Sequence, residues 1–484
     1  MKFNRIIAAL FAGLLAFSAT AYAENDPVAD VKAQVVAGNA RFTVLTDRLI
    51  RMEWSENGKF EDNATLAIVN RNLPVPAFTT SRSGDAVQIK TGAVTLNYNG
   101  NGKFDKDNLT VSFKLNGKTV TWHPGKEDTG NLMGTARTLD GCMGPDKINN
   151  NDPMELGIVS RDGWAIVDES QRHILVKDDS DWGEWVYARP EGDVQDLYIF
   201  AYGHDYTDAL ADFTKVAGKI PLPPKYTFGY WWCRYWEYSD NELIDLAEHF
   251  KAYNIPMDVM IIDMDWHETW NKIAAATPAG ANSDKPGRDE FGQRIGWTGY
   301  TWKKQLFPNP ENFLEELHRR GIKTSLNLHF NNGIQPYEEC YDRFVKDYTS
   351  RTSEYDGPKD FVYDGPYKFA GNDYEVGKAG EKAPVPFRIC QREWADAYFG
   401  SVIRPFEKLG VDFWWLDWQQ WLESKYTQGL SNTFWLNYAF FNDKVRQTES
   451  LGKQAPRAMI YHRWGGIGSH RYQVGFSGDV YATW

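Results

Sequence analysis

Gly410-Val411-Asp412-Phe413-Trp414-Trp415-Leu416-Asp417-Trp418-Gln419-Gln420 is the stretch whose reading decides the fold. Gly410 stops a helical pattern. An apolar and aromatic run of strand length follows and ends in polar groups, so the stretch reads as a short, fully buried strand. Asp412 lies at its start, where an edge or cap tolerates a carboxylate. Asp417 emerges at the C-terminal end, which in a parallel sheet or barrel is where ligands and chemistry sit. An Asp at a strand end ordinarily caps a turn. Here the flanking aromatics and the paired glutamines Gln419 and Gln420 favour a carboxylate that faces a carbohydrate.

The sequence around this stretch alternates strands with helices. Strands are expected over 226–234, 257–266, 323–329, 458–462 and 474–476. Helices are expected over 240–253, 309–320, 335–348, 393–409 and 432–449. Ser239 or Asp240 caps the first helix, and Gly321 stops the second. This alternation argues for βαβ units and a parallel sheet. Two long loops, 268–301 and 350–387, are placed to carry specificity elements.

Before residue 221 the texture is different. Short alternating segments recur at 40–45, 49–54, 87–89, 94–98, 110–115 and 194–200, with turns at Asn57-Gly58, Asn99-Gly100 and Asn116-Gly117. These predict an antiparallel β-sandwich. A connecting helix over 205–216 and the stiff Pro221-Leu222-Pro223-Pro224 follow. The expected organisation is a signal peptide over 1–23, a sandwich over 24–220 and a barrel over 221–484. Lys2 and Arg5, the apolar stretch 6–17 and the small-x-small site Ala21-Tyr22-Ala23 form the secretory signal. Cleavage after Ala23 and a periplasmic or secreted location are therefore expected. That apolar stretch is too short for a lasting membrane anchor.

The chain has 484 residues and a net charge of −12, with no basic block, which argues against nucleic acid or anionic membrane as a partner. Aromatic residues make up 15%, including 20 Trp, a supply of flat faces that serves sugar rings and large cores alike. Cys142, Cys233, Cys340 and Cys390 are widely spaced, so neither a zinc site nor any other cofactor is expected. Cys233 and Cys340 are read as buried free thiols.

Three strand ends present carboxylates. Ile261-Ile262-Asp263-Met264-Asp265-Trp266-His267 carries Asp263, Asp265 and His267 at the two-residue period of one strand face. Asp417 ends the second strand, and Val474-Gly475-Phe476-Ser477-Gly478-Asp479 presents Asp479. Glycoside hydrolysis needs two carboxyls across one pocket, one to attack or activate water and one to protonate the leaving oxygen. The acid needs an apolar wall or a neighbouring negative charge, and Phe476, Tyr481 and Trp484 are candidates for that wall. A divalent metal held by Asp263, Asp265 and His267 in a metal-dependent hydrolase is the rival reading.

Several motifs together resemble glycoside hydrolase family 31, the retaining α-glucosidase and α-xylosidase family. They are Arg41-Phe42-Thr43-Val44-Leu45, Asn131-Leu132-Met133-Gly134-Thr135-Ala136-Arg137-Thr138-Leu139-Asp140, Ser160-Arg161-Asp162-Gly163-Trp164, Gly229-Tyr230-Trp231-Trp232, Trp297-Thr298-Gly299-Tyr300-Thr301-Trp302 and Leu306-Phe307-Pro308-Asn309-Pro310. The resemblance implies a β-sandwich followed by a (β/α)8 TIM barrel that is incomplete, with about six of the eight strands present. It implies Asp417 as nucleophile, Asp479 as general acid/base, Arg463 as a substrate-binding arginine and Asp263 as the carboxylate for the far hydroxyls of the sugar. It implies Trp266, His329 and Trp415 in the pocket wall, and Asp168 on a sandwich loop near the site.

The sequence departs from the family pattern in Trp418-Gln419-Gln420 after Asp417 and in Asn331-Asn332-Gly333 after His329. Beyond Trp484 the family's remaining strands and C-terminal β-domains are expected. The chain is accordingly read as a fragment or truncated product, poorly soluble or inactive alone. The expected function is hydrolysis of a terminal α-glucoside or α-xyloside in an oligosaccharide or glycan, with the carboxyls about 5–5.5 Å apart. A non-catalytic carbohydrate-binding fragment is the alternative. The oligomeric state is open.

Overall fold

The computed structural model describes residues 25–134, 136–140, 154–269, 295–352, 361–362, 365, 367–368, 375–376, 379–418, 420–451 and 456–481. The signal peptide, Cys142, Gln419 and Trp484 lie outside the described residues. The chain forms two compact units. One is drawn from Met1–Thr135, Met154–Ile220 and Lys444–Arg457, the other from Ala136–Pro153, Pro221–Asp443 and Ala458–Trp484.

The strands of the first unit are Gln34–Ala37 (β1), Ala40–Val44 (β2), Leu49–Ser55 (β3), Ala64–Thr65 (β4), Thr79–Ser83 (β5), Ala86–Lys90 (β6), Val94–Tyr98 (β7), Leu109–Leu115 (β8), Lys118–Trp122 (β9), Ala165–Asp168 (β10), Ile174–Lys177 (β11), Glu184–Tyr187 (β12) and Val194–Phe200 (β13). They make two antiparallel five-stranded sheets, β1-β2-β3-β13-β10 and β5-β6-β7-β8-β9, and a smaller sheet β12-β11-β4. Alternation works as the sequence implies. Phe42, Ile50 and Met52 from one large sheet share a core with Ile89, Leu96 and Val111 from the other, which is the arrangement of a β-sandwich. The opposite face of β3 carries Arg51 and Glu53, both buried. There Arg51 meets Asp196 at 2.7 Å, Arg189 meets Asp196 at 2.9 Å and Arg41 meets Glu53 at 2.7 Å. Helix α1 follows at Tyr206–Val216.

The second unit holds a parallel sheet of Trp231–Trp232 (β14), Val259–Ile262 (β15), Lys323–Leu328 (β16), Phe413–Leu416 (β19) and Tyr461–His462 (β20), in that order. The short pair Tyr367–Lys368 (β17) and Glu375–Val376 (β18) lies outside it. Residues at the two-residue period share a face. Val259, Ile261, Phe413 and Trp415 pack together with Met459. On the other face of β19, Trp414 donates its indole N–H to Glu407 at 3.0 Å. Among the helices are Asp240–Ala252 (α2), Pro310–Arg319 (α3), Tyr341–Arg351 (α4), Arg392–Tyr398 (α5), Arg404–Leu409 (α6) and Asn432–Leu451 (α7).

Several expected bounds need correction, among them that of the strand at 458–462, which is only β20. The strand placed at 226–234 is only β14, because a 3-10 turn at Lys225–Phe228 precedes it. The strand at 257–266 stops at Ile262, where Asp263 caps a 3-10 turn over Met264–Trp266. The stretch 474–476 touches the sheet through a single parallel bridge, His462 to Gly475, and is not a full strand. The helix at 335–348 begins at Tyr341.

Candidate active site

Asp417 follows β19 directly. Its backbone N–H donates to the carbonyl of Leu328 at 3.0 Å, which keeps it in register beside β16. From β16, Asn327 donates Nδ2 to Asp417 Oδ2 at 3.0 Å, and His329 Nε2 lies 3.6 Å from the same oxygen. From the chain after β20, Arg463 donates Nε to Asp417 Oδ1 at 2.8 Å and holds Nη2 2.6 Å from it. Burial raises the Asp417 carboxyl, and Arg463 and Asn327 act against that shift. The result is a buried carboxylate with one oxygen crowded by a guanidinium and the other held by one amide.

Arg463 is fully enclosed. Its guanidinium lies over the rings of Trp418 at 4.0 Å and Phe476 at 4.7 Å. Its Nη1 donates to Thr138 Oγ1 at 2.6 Å and to Asp140 Oδ1 at 3.1 Å. Arg463 thus clamps Asp417 through Nε and reaches Thr138 and Asp140 through Nη1.

Asp479 stands exposed next to Gly478, whose φ of +102° admits glycine without strain. A side chain there would run into Asp140 and Thr138 as well. The Asp479 backbone N–H donates to Asp140 Oδ1 at 2.5 Å. Partial burial raises the Asp479 carboxyl, Asp140 and Asp417 raise it further, and Arg463 opposes them. The apolar wall expected from Tyr481 is absent, since Tyr481 is 60% exposed. Phe476 packs on Trp415 and Arg463.

Asp263 accepts from the N–H of Met264 at 2.7 Å. Burial pushes its carboxyl up to about 7, with Asp417, Asp265 and Asp479 adding to the rise. Asp263, Asp417 and Asp479 thus lie close enough to feel one another's charge. Cys233, just past β14, faces the same three groups. It is an exposed residue, not the buried one expected, but its thiol is desolvated and pushed up, and the three carboxylates add to that. Cys340 and Cys390 are buried free thiols.

The remaining candidates have different settings. His329 is buried beside Trp297 and is brought down to about 3 by burial and then by Arg463, so it is a neutral imidazole near neutral pH. Trp266 does not wall a pocket. It is fully buried and donates its indole N–H to the Asn327 carbonyl at 2.8 Å, bracing the strand that carries Asn327. Trp415 fills the sheet's inner face against Tyr461 and Phe476. Asp168 ends β10 in the first unit, exposed, and accepts from the N–H of Ser170 at 2.9 Å.

The metal reading fails on geometry. Because β15 stops at Ile262, the two-residue period that aligned Asp263, Asp265 and His267 is broken by the 3-10 turn. His267 is fully buried with Nδ1 paired to the Glu268 carbonyl at 2.8 Å. Among the described residues no group of three or more His, Cys, Asp or Glu side chains is placed to hold a metal ion.

Two residues of the site escaped the sequence reading. Asn327 meets Asp417 through the strand register that pairs it with Trp415, which no local pattern shows. Asp140 ends one of the quoted motifs, but its place in the site was hidden because it stands 323 positions from Arg463.

Comparison with known proteins bears on the family and the fold. The family model for the glycosyl hydrolases family 31 TIM-barrel domain matches residues 220–484. An α-xylosidase, XylQ, of Lactiplantibacillus pentosus is 27% identical over 209 residues, 42% of this chain and 24% of that protein. An α-xylosidase of Saccharolobus solfataricus is 24% identical over 220 residues, 46% of this chain and 22% of that protein. The matched stretches thus span about a quarter of the length of these curated relatives. Among solved structures, a family 31 dextranase of Flavobacterium johnsoniae complexed with glucose aligns with a TM-score of 0.57 and 19% identity, covering 95% of this chain and 57% of its own. A family 31 α-xylosidase from a soil metagenome complexed with xylose aligns with a TM-score of 0.55 and 13% identity, covering 93% of this chain and 67% of its own.

Proposed function

This chain belongs to glycosyl hydrolases family 31, and on that premise we propose that it is a retaining α-glycosidase that removes a terminal α-linked glucose or xylose from an oligosaccharide or glycan. One observation carries the reading. Two carboxyls close enough to feel each other's charge lie at the C-terminal side of a parallel sheet in different settings. Asp417 is buried and paired with Arg463, which works against the upward push of burial on its carboxyl, whereas Asp479 is exposed and is raised by partial burial and then by Asp140 and Asp417.

In the first step Asp417 Oδ2 attacks the anomeric carbon. Oδ1 is crowded by two guanidinium nitrogens, so Oδ2, held by the single amide of Asn327, is the better nucleophile. The bond to the glycosidic oxygen breaks as Asp479 gives that oxygen its proton. In the second step Asp479, now a carboxylate, takes a proton from water while the water oxygen attacks the anomeric carbon and Asp417 leaves. Asp263, once ionised, accepts hydrogen bonds from the sugar's far hydroxyls.

An aryl α-glucoside and an aryl α-xyloside test the reading, with the product anomer followed by proton NMR. The α-anomer is expected first. Release of the β-anomer rules out the double displacement. Asp417→Asn should lower turnover on the order of 10³-fold or more, and activity that survives it moves the nucleophile elsewhere. Sugar binding without any cleavage favours a carbohydrate-binding role instead. We read the bridge at Gly475 as the next strand position of a (β/α)8 barrel. We also propose export, with Glu24 as the first residue of the mature chain, which N-terminal sequencing of protein recovered from the producing cells tests.

A further inference from the structure

The sequence motif ending in Thr138-Leu139-Asp140 has no role in the two-carboxylate mechanism, yet it lies inside the site. Ala136–Pro153 belongs to the same compact unit as the parallel sheet. Leu139 donates its N–H to the Ser477 carbonyl at 2.9 Å, which pins the segment along the chain leading to the acid. Thr138 Oγ1 accepts from Arg463 at 2.6 Å and from the N–H of Asp140 at 3.1 Å. Asp140 Oδ1 accepts from both Arg463 Nη1 and the Asp479 backbone N–H.

We propose that Asp140 is a positioning residue that couples the general acid to the nucleophile's clamp. A single carboxylate oxygen holds the backbone of Asp479 and the outer end of the guanidinium whose inner end holds Asp417. The proposal rests on the glycosidase reading for its kinetic consequence only, since the contacts stand without it. Gly478 is part of the device, because any side chain there would displace Asp140 and Thr138.

The same placement sets the acid's proton affinity. The charged and titratable groups bearing on Asp479 are Asp140, Asp417 and Arg463, and Asp479 in turn acts on Asp263 and Cys233. Of these, Asp140 is the nearest negative charge that neither attacks the substrate nor transfers a proton to it. It keeps the acid protonated to higher pH without taking part in bond exchange.

The test compares the whole chain with its Asp140→Asn and Asp140→Ala variants. Asn retains an acceptor oxygen for both donors and removes the charge. In Asp140→Asn the Asp479 carboxyl, followed by carbon-13 NMR and assigned through its loss in Asp479→Asn, should titrate roughly half to one pH unit lower. The basic limb of kcat/KM should move down by the same amount. In Asp140→Ala kcat should fall about 10- to 100-fold with KM little changed, because the acid loses its backbone anchor. An unmoved Asp479 titration in Asp140→Asn overturns the proposal, even if Asp140→Ala fails to fold. The titration needs no turnover, so NMR decides the coupling whether or not the chain cleaves an aryl α-glycoside.

Discussion

Asp263 shows how one residue's setting becomes a measurable pH effect. Burial and three neighbouring carboxylates bring it up to about 7, so it is partly protonated at neutral pH when the pocket is empty. A sugar hydroxyl donates to the carboxylate and loses that acceptor when it is protonated. KM for an aryl α-glycoside should therefore rise as pH falls below about 7, approaching about tenfold per pH unit. In Asp263→Asn, KM should be high and flat across that range. Initial rates from pH 5 to pH 9 check this, and the same slope in both proteins would remove Asp263 from substrate binding. Asp417 and Asp479 were visible in the sequence because each ends a short apolar or small-residue run. Trp266 was misjudged for a physical reason. An aromatic beside a carboxylate reads as a sugar platform, but the turn that begins at Asp263 swings this indole under β16.

At the scale of elements, the register of the central strands depends on Asp412. It accepts from His318 Nε2 at 2.7 Å, Lys323 Nζ at 2.8 Å and the Thr324 N–H at 2.9 Å, tying β19 to β16 and to the end of α3. Burial works against its charge, but these three donors hold it below the usual carboxylate range. A depressed folded value means that its contribution is complete above about 3.8, the ordinary value it has in the unfolded chain, and is lost as pH falls through the folded value. Asp412→Asn should cost about 1–3 kcal/mol in urea unfolding at pH 7, with the difference from wild type shrinking near pH 3. A constant difference would mean that packing, not charge, fixes the register. The helix expected over 393–409 shows where pattern reading stops. Its apolar spacing is continuous, but Pro405 has no N–H to give the Ser401 carbonyl and its ring would press on that group. The chain opens into a π-turn at Phe399–Ile403, and Arg343 Nε takes the Ser401 carbonyl at 2.8 Å. Proline was legible in the sequence. The arginine that answers it comes from α4, and no local pattern shows that.

Across the whole molecule, the features hidden from the sequence are those that join distant positions. Arg51 and Asp196, 145 positions apart, are each 1% exposed and pair in the first unit. Alternation placed both on strands, but only the paired register of β3 and β13 shows that they meet. Removing one partner leaves an unpaired buried charge. Asp196→Ala should cost roughly 3–5 kcal/mol and lower the unfolding temperature of the chain by calorimetry, and an unchanged temperature would make the pair incidental. The tie from Asp140 to Arg463 is longer, and it sets an order of events in the cell. The ribosome delivers Asp140 before any strand of the parallel sheet exists, and Arg463 only after nearly all of that sheet has emerged. Until then the carboxylate has neither of its two donors from the far end of the unit. The reacting groups are thus assembled last, so a nascent chain or a piece ending before Arg463 has a nucleophile held by Asn327 but without the cation that pairs with its charge.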